Sequence, residues 1–88
     1  MKPDTAFIGA GNVAFRFALA MQEKGYNISA VYSRTAKSRD RLVKALRANG
    51  SGTQAAESIQ DLRTASLLVI AVTDDAIPQV VADIAEAF

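Results

Sequence analysis

Thr5-Ala6-Phe7-Ile8-Gly9-Ala10-Gly11-Asn12-Val13-Ala14 is the stretch that decides how this chain is read. A short apolar run ends in Gly9, Gly11 stands two positions on, and Ala14 three after that. This is the pattern G-x-G-x-x-G/A, placed where a strand should turn into a helix. Each small residue has a physical task in it. Gly9 permits the tight turn, Gly11 lets a pyrophosphate approach the backbone, and Ala14 lets the helix lie close to the strand. The amides of Asn12 and Val13 then present free N–H groups at the positive end of a helix dipole. The same pattern also describes a purely structural glycine-rich turn, so its weight depends on what surrounds it.

Working outward, Thr5 to Gly9 reads as a buried parallel strand, apolar on both faces. Val13, Phe17 and Met21, with Ala14 and Ala18 beside them, repeat at helical spacing and predict an inward-facing stripe. Lys24-Gly25 stops that helix. Ile28 to Ser33 is rich in β-branched and aromatic residues and reads as the second strand. Thr35 or Ser38 caps a second helix running to about Arg47, with Leu42, Val43 and Leu46 inward, and Asn49-Gly50-Ser51-Gly52 ends it. A short third strand at residues 53–55 and a brief helix at residues 58–62 come next. Leu67-Leu68-Val69-Ile70-Ala71-Val72, apolar on both faces, reads as a central strand. The last helix carries Ile77, Val80, Val81, Ile84 and Phe88 as one stripe, with Pro78 tolerated in its first turn.

Strands alternating with helices specify the α/β class. Right-handed crossovers order the parallel sheet 3-2-1-4, with helices on both faces, as in the first part of a dinucleotide-binding fold. On this reading residues 1–88 are a nucleotide-binding domain, the N-terminal part of a longer protein or a shortened form of one. The fourth strand is then an unfinished sheet edge, which favours association and leaves room for a homodimer.

Composition narrows the chemistry. The chain has 88 residues, half of them hydrophobic, and a formal charge of +1. It has no cysteine, which excludes disulfides, zinc-thiolate sites and thiol nucleophiles, and no histidine, the commonest general acid–base. No metal site is expected. The longest aliphatic run, Leu67 to Val72, falls far short of the ~18 residues that span a bilayer. A cytoplasmic location is the expectation, with no membrane partner. Charge is unevenly spread: Arg34, Lys37, Arg39, Arg41, Lys44 and Arg47 face a single acid, Asp40, in that stretch, and the remainder is net acidic. Arg39, Arg41, Lys44 and Arg47 read as a solvated helix face. The stretch holds no interleaved aromatics, so nucleic-acid binding is not expected.

The glycine pattern usually pairs with an Asp or Glu about 20 residues on, which holds the ribose hydroxyls of NAD. Here the second strand ends Tyr32-Ser33-Arg34-Thr35, with no acid. Arg34 can bind a 2′-phosphate bidentately and stack on adenine, and Ser33 and Thr35 can donate hydrogen bonds. The combination favours NADP over NAD. Thr73 reads as a backbone contact near the nicotinamide half, and Asp74 or Asp75 as a cap of the last helix. Tyr32 reads as a packing residue and Arg16 as a surface charge.

Ala6 to Ala14, Val31-Tyr32-Ser33-Arg34-Thr35 and Leu68 to Ile77 together resemble the N-terminal Rossmann domain of a bacterial oxidoreductase group. That group includes pyrroline-5-carboxylate reductase, the deazaflavin-dependent NADP oxidoreductases and related Rossmann-like oxidoreductases of unassigned substrate. The resemblance spans nearly the whole chain. It implies NADP(H) binding across Gly9, Ala10, Gly11, Asn12, Val13, Ser33, Arg34 and Thr35, with Val72 and Thr73 near the nicotinamide ribose. It also implies hydride transfer to a small carbonyl or imine, with the substrate pocket mostly in a helical C-terminal domain that these residues do not include. The catalytic proton donor is not identified. Two other readings compete: a nucleotide-sensing module without catalysis, and a methyltransferase, which generally wants an acid where Ser33 stands.

Overall fold

A computed structural model describes residues 3–72 and 74–88, Asp74 by its backbone only. The elements are β1 (Thr5–Ile8), α1 (Asn12–Glu23), β2 (Ile28–Tyr32), α2 (Ala36–Ala48), β3 (Gln54–Ala56), a 3-10 helix (Ile59–Leu62), β4 (Leu67–Ile70), a 3-10 turn (Asp74–Ala76) and α3 (Ile77–Ala87). The four strands form one sheet in the order β3-β2-β1-β4, and every pairing is parallel. The topology is the expected one. Because all strands run the same way, β1, β2 and β4 deliver their following segments to one rim of the sheet.

The two faces of the sheet follow from strand periodicity. Phe7 and Val31 point to the side covered by α1 and α2, where Ala14, Ala18, Met21, Leu42 and Leu46 complete a buried cluster. Ala6, Ile8 and Ala30 point the other way, against Leu62 and Val80. α1 ends as its sequence dictates: Gly25 takes φ +96°, its N–H bonds Gln22 O and the Tyr26 N–H bonds Met21 O. That reciprocal pair satisfies two of the last helical carbonyls.

Some elements depart from the sequence-based expectation. β1 closes at Ile8, and Gly9 already belongs to the turn. β3 starts at Gln54, one residue later than expected, because Thr53 is taken up by side-chain bonding. The brief helix is 3-10, opened by a capping box in which the Glu57 and Ser58 amides donate to Asp61 Oδ2 at 3.2 and 3.3 Å. The buried face of α1 is Ala14, Ala18 and Met21, whereas Val13 and Phe17 are 77% and 48% exposed. Close approach of helix to sheet requires the small residues inside, which turns the larger pair outward. β4 is an edge strand, with Leu67 and Ile70 exposed, although its sequence is that of a strand covered on both sides. Of the α3 stripe only Val80 is buried, while Ile77, Val81 and Phe88 are exposed.

One polar network is sealed inside. Thr53 is fully buried, its hydroxyl donates to Ile28 O at 2.6 Å, and Ser51 Oγ lies 2.6 Å from the same hydroxyl. Thr53→Val keeps the shape but strips a partner from two polar groups. It is expected to lower stability by about 1–3 kcal/mol, read as a lower urea midpoint at unchanged slope.

Candidate functional site

The site begins at the end of β1. Ile8 O accepts the Ala71 N–H at 2.8 Å, and the Gly9 N–H donates to Tyr32 O at 2.8 Å. The glycine turn is thereby tied to the segments leaving both neighbouring strands. Gly9 has φ +108°, and a Cβ there would fall on the Ala71 carbonyl oxygen and 2.8 Å from its carbon. Gly9 is therefore required by the fold itself.

Gly11 is different. Its φ of −74° and ψ of −169° suit any residue, and a Cβ built on it meets nothing within 4 Å. Nothing in the described chain demands glycine there. The space that a side chain would take lies beside the start of α1, where Gly11 is the N-cap, no side chain caps the helix and no acid stands in the first turn. The first amides of α1 are left as donors at the positive end of its dipole.

α2 starts at the same rim in the same condition. Thr35 is its N-cap but its hydroxyl makes no capping bond, and the first turn again holds no acid. Instead the Thr35 N–H donates to Ser33 Oγ at 3.3 Å. Two helices thus present bare N-termini to one rim, while the 3-10 helix that follows β3 closes its own with Ser58 and Asp61.

Between these helix starts lies an open cavity of about 290 Å³. It brings together Gly9, Ala10 and Gly11 with Ser33, Arg34 and Thr35, and Val72 forms part of its wall. Asn12 and Val13 line a second cavity of about 360 Å³, which shares Gly11, Ala71 and Val72 with the first. The two hollows therefore adjoin at the glycine turn. Thr73, the remaining expected site residue, lies outside the described residues. Asp75 is exposed in the 3-10 turn and the N-cap of α3 is Ala76, with no side-chain capping bond, while the side chain of Asp74, the other expected cap, lies outside the described residues.

The structure adds residues to the site that the sequence had given other roles or none. Tyr32, the last residue of β2, packs partly buried against the core and also walls the first cavity, as do Ala76 and Val80 from the α3 side. Ser38 lines it too, one helical turn beyond Thr35. The i, i+3 spacing of two hydroxyls at a helix start was the available signal. A further cleft of about 370 Å³ lies beyond Tyr32, but Glu57, Asp83 and Glu86 make it unsuited to an anion.

The basic run sorts into two groups. Arg39 pairs with Asp40 at 2.9 Å and donates to Ala56 O at 3.3 Å, Arg41 sits 4.3 Å over the Phe15 ring, and Arg47 donates to Thr53 O at 2.7 Å. These three contacts tie α2 to its neighbours, while Arg41 and Arg47 remain exposed, as a solvated face would have them. Arg34, at the cavity, has no hydrogen bond or ion pair with any described residue. Among the described residues no cluster of metal-binding side chains occurs, and no helix is long and apolar enough to cross a membrane.

Comparison with known proteins bears on the family and the fold. The family model described as NADP oxidoreductase, coenzyme F420-dependent, matches residues 4–88. A crystal structure described provisionally as an NADP oxidoreductase from Bacteroides fragilis superposes with a TM-score of 0.83 at 28% identity. The match covers 98% of this chain and 32% of that one, so the chain spans about a third of the relative's length. No curated protein matches the chain.

Proposed function

We propose that this chain, which belongs to the family of NADP oxidoreductases described as coenzyme F420-dependent, binds NADP(H) along the rim formed by its glycine turn and the start of α2. The observation that carries the reading is Gly11: a glycine that the fold does not need, facing open space beside an uncapped helix start. In this reading Gly11 and the amides of Asn12 and Val13 receive the pyrophosphate. Arg34 holds the 2′-phosphate through its unpaired guanidinium, with Ser33 and Thr35 donating beside it. Gly9, Ala10 and Tyr32 shape the adenosine side, and Val13 and Val72 keep the nicotinamide side apolar and dry. Thr73 is included only as a sequence expectation.

When bound, NADP(H) supplies a hydride for a small carbonyl or imine. The described residues of the rim bind and orient the nucleotide. A nucleotide-sensing module makes the same binding prediction and differs only in lacking hydride transfer by a longer protein.

The test is calorimetric titration with NADPH and NADH, since the chain has no tryptophan to report binding by fluorescence. A preference for NADPH is expected. Arg34→Ala should weaken NADPH by roughly 10- to 100-fold, the ~1.5–3 kcal/mol of a hydrogen bond to a charged group, and leave NADH nearly unchanged. Equal affinity of the parent protein for both nucleotides would overturn the assignment.

A further inference from the structure

We propose that α2 carries an electrostatic entry path for the anionic nucleotide, formed by Lys37 and Lys44 and ending at Arg34. The proposal rests on the cofactor reading above, and adds how the nucleotide reaches its site.

Three observations converge. The first is the division of labour among the cations of the basic run. Arg39, Arg41 and Arg47 are engaged by Asp40 and Ala56, by the Phe15 ring and by Thr53 O. Lys37 and Lys44 are exposed, and neither forms an ion pair or hydrogen bond with any described residue. Asp40, the single acid in α2, sits one turn before Lys44 yet pairs with Arg39 at 2.9 Å. The charge of both lysines is therefore unneutralised.

The second is their placement. Seven residues apart, they share one face of α2 and stand about 10 Å apart along its axis. Lys37 lies in the first turn of α2, three residues after Arg34 and next in sequence to Ser38, both of which line the cavity. That spacing is close to the screening length of ~8–10 Å at physiological salt, so each charge extends the reach of the next.

The third is the opposite sign across the sheet. Beyond Tyr32 the cleft presents Glu57, Asp83 and Glu86, and Asp61 and Asp75 are exposed on the same half of the chain. An anion is repelled from the α3 side and drawn along α2. A field of this kind raises the association rate without adding a contact in the complex.

Stopped-flow mixing with NADPH measures this directly, on the parent protein and on the Lys37→Gln/Lys44→Gln double variant. At about 0.02 M salt the variant's association rate is expected to fall roughly three- to tenfold, with the gap closing near 0.5 M salt and the dissociation rate unchanged. Equal association rates at low salt would overturn the path. A faster dissociation in the variant would also overturn it, by showing that the lysines touch the bound nucleotide. Failure of the parent protein to bind NADPH is a separate result, which defeats the cofactor reading and the path with it.

Discussion

Gly9→Ala is expected to leave the chain largely unfolded at room temperature. Two penalties act at the same atom. A φ of +108° is one that L side chains rarely adopt, and the added Cβ would fall on the backbone of Ala71. That backbone cannot step aside cheaply, because the Ala71 N–H is bonded to Ile8 O at 2.8 Å and the Gly9 N–H to Tyr32 O at 2.8 Å. Relief of the overlap would break a bond between the central strand and one of its neighbours. A loss of about 4 kcal/mol or more is expected. A small domain has a total stability that starts near 5 kcal/mol, so little would remain. Far-UV circular dichroism with a urea titration measures it. A cooperative transition with a midpoint close to the parent's would show that the turn relaxes, and would remove the steric account of Gly9.

Gly11→Ala, the same chemical change two residues on, should do the reverse. Nothing lies within 4 Å of the new methyl group, and φ of −74° is open to alanine. Alanine is a poorer N-cap than glycine but restricts the unfolded chain, so net stability should move by no more than about 1 kcal/mol. Binding should suffer instead. The methyl group occupies the approach to the α1 amides, and NADPH affinity is expected to fall about 100-fold, or ~2.7 kcal/mol. Calorimetric titration alongside a urea midpoint reads both quantities. An alanine variant that is stable and binds as the parent does would mean that Gly11 is not a phosphate contact. The pair of variants separates the glycine the fold needs from the glycine the ligand needs.

Much of this was legible in the residues. The strand–turn–helix order, the sheet order and the inward face of α2 follow from local periodicity and from glycine placement, which act over a few residues. Leu42, Val43 and Leu46 were assigned inward and are buried. What was not legible depends on neighbours distant in sequence. Val13 and Phe17 form as good a helical stripe as Ala14, Ala18 and Met21. Only the closeness of α1 to the sheet chooses between two stripes one residue apart. Leu67 to Ile70 is apolar on both faces, and such a sequence describes what a strand can bury without saying whether anything lies against it. Ser38 and Tyr32 joined the cavity wall only once α2 and β2 were placed. The arginines of α2 read as a charge run because the Phe15 ring and the Ala56 and Thr53 carbonyls that engage them come from other elements.

The position of β1 between β2 and β4 bears on how the chain is made. Thr5 pairs with Ile28 on one side and with Leu67 on the other. At the usual ~5–20 residues per second, the second partner is synthesised roughly 3–12 s after β1 itself. β2 is available well before that, so for most of this interval the innermost strand can be paired along one edge only. Phe7 and Ile8, fully enclosed in the finished domain, stand at that open edge while they wait. A pause in translation between Tyr32 and Leu67 would lengthen the exposure, and a lower yield of folded protein is the expected result of slowing the ribosome there.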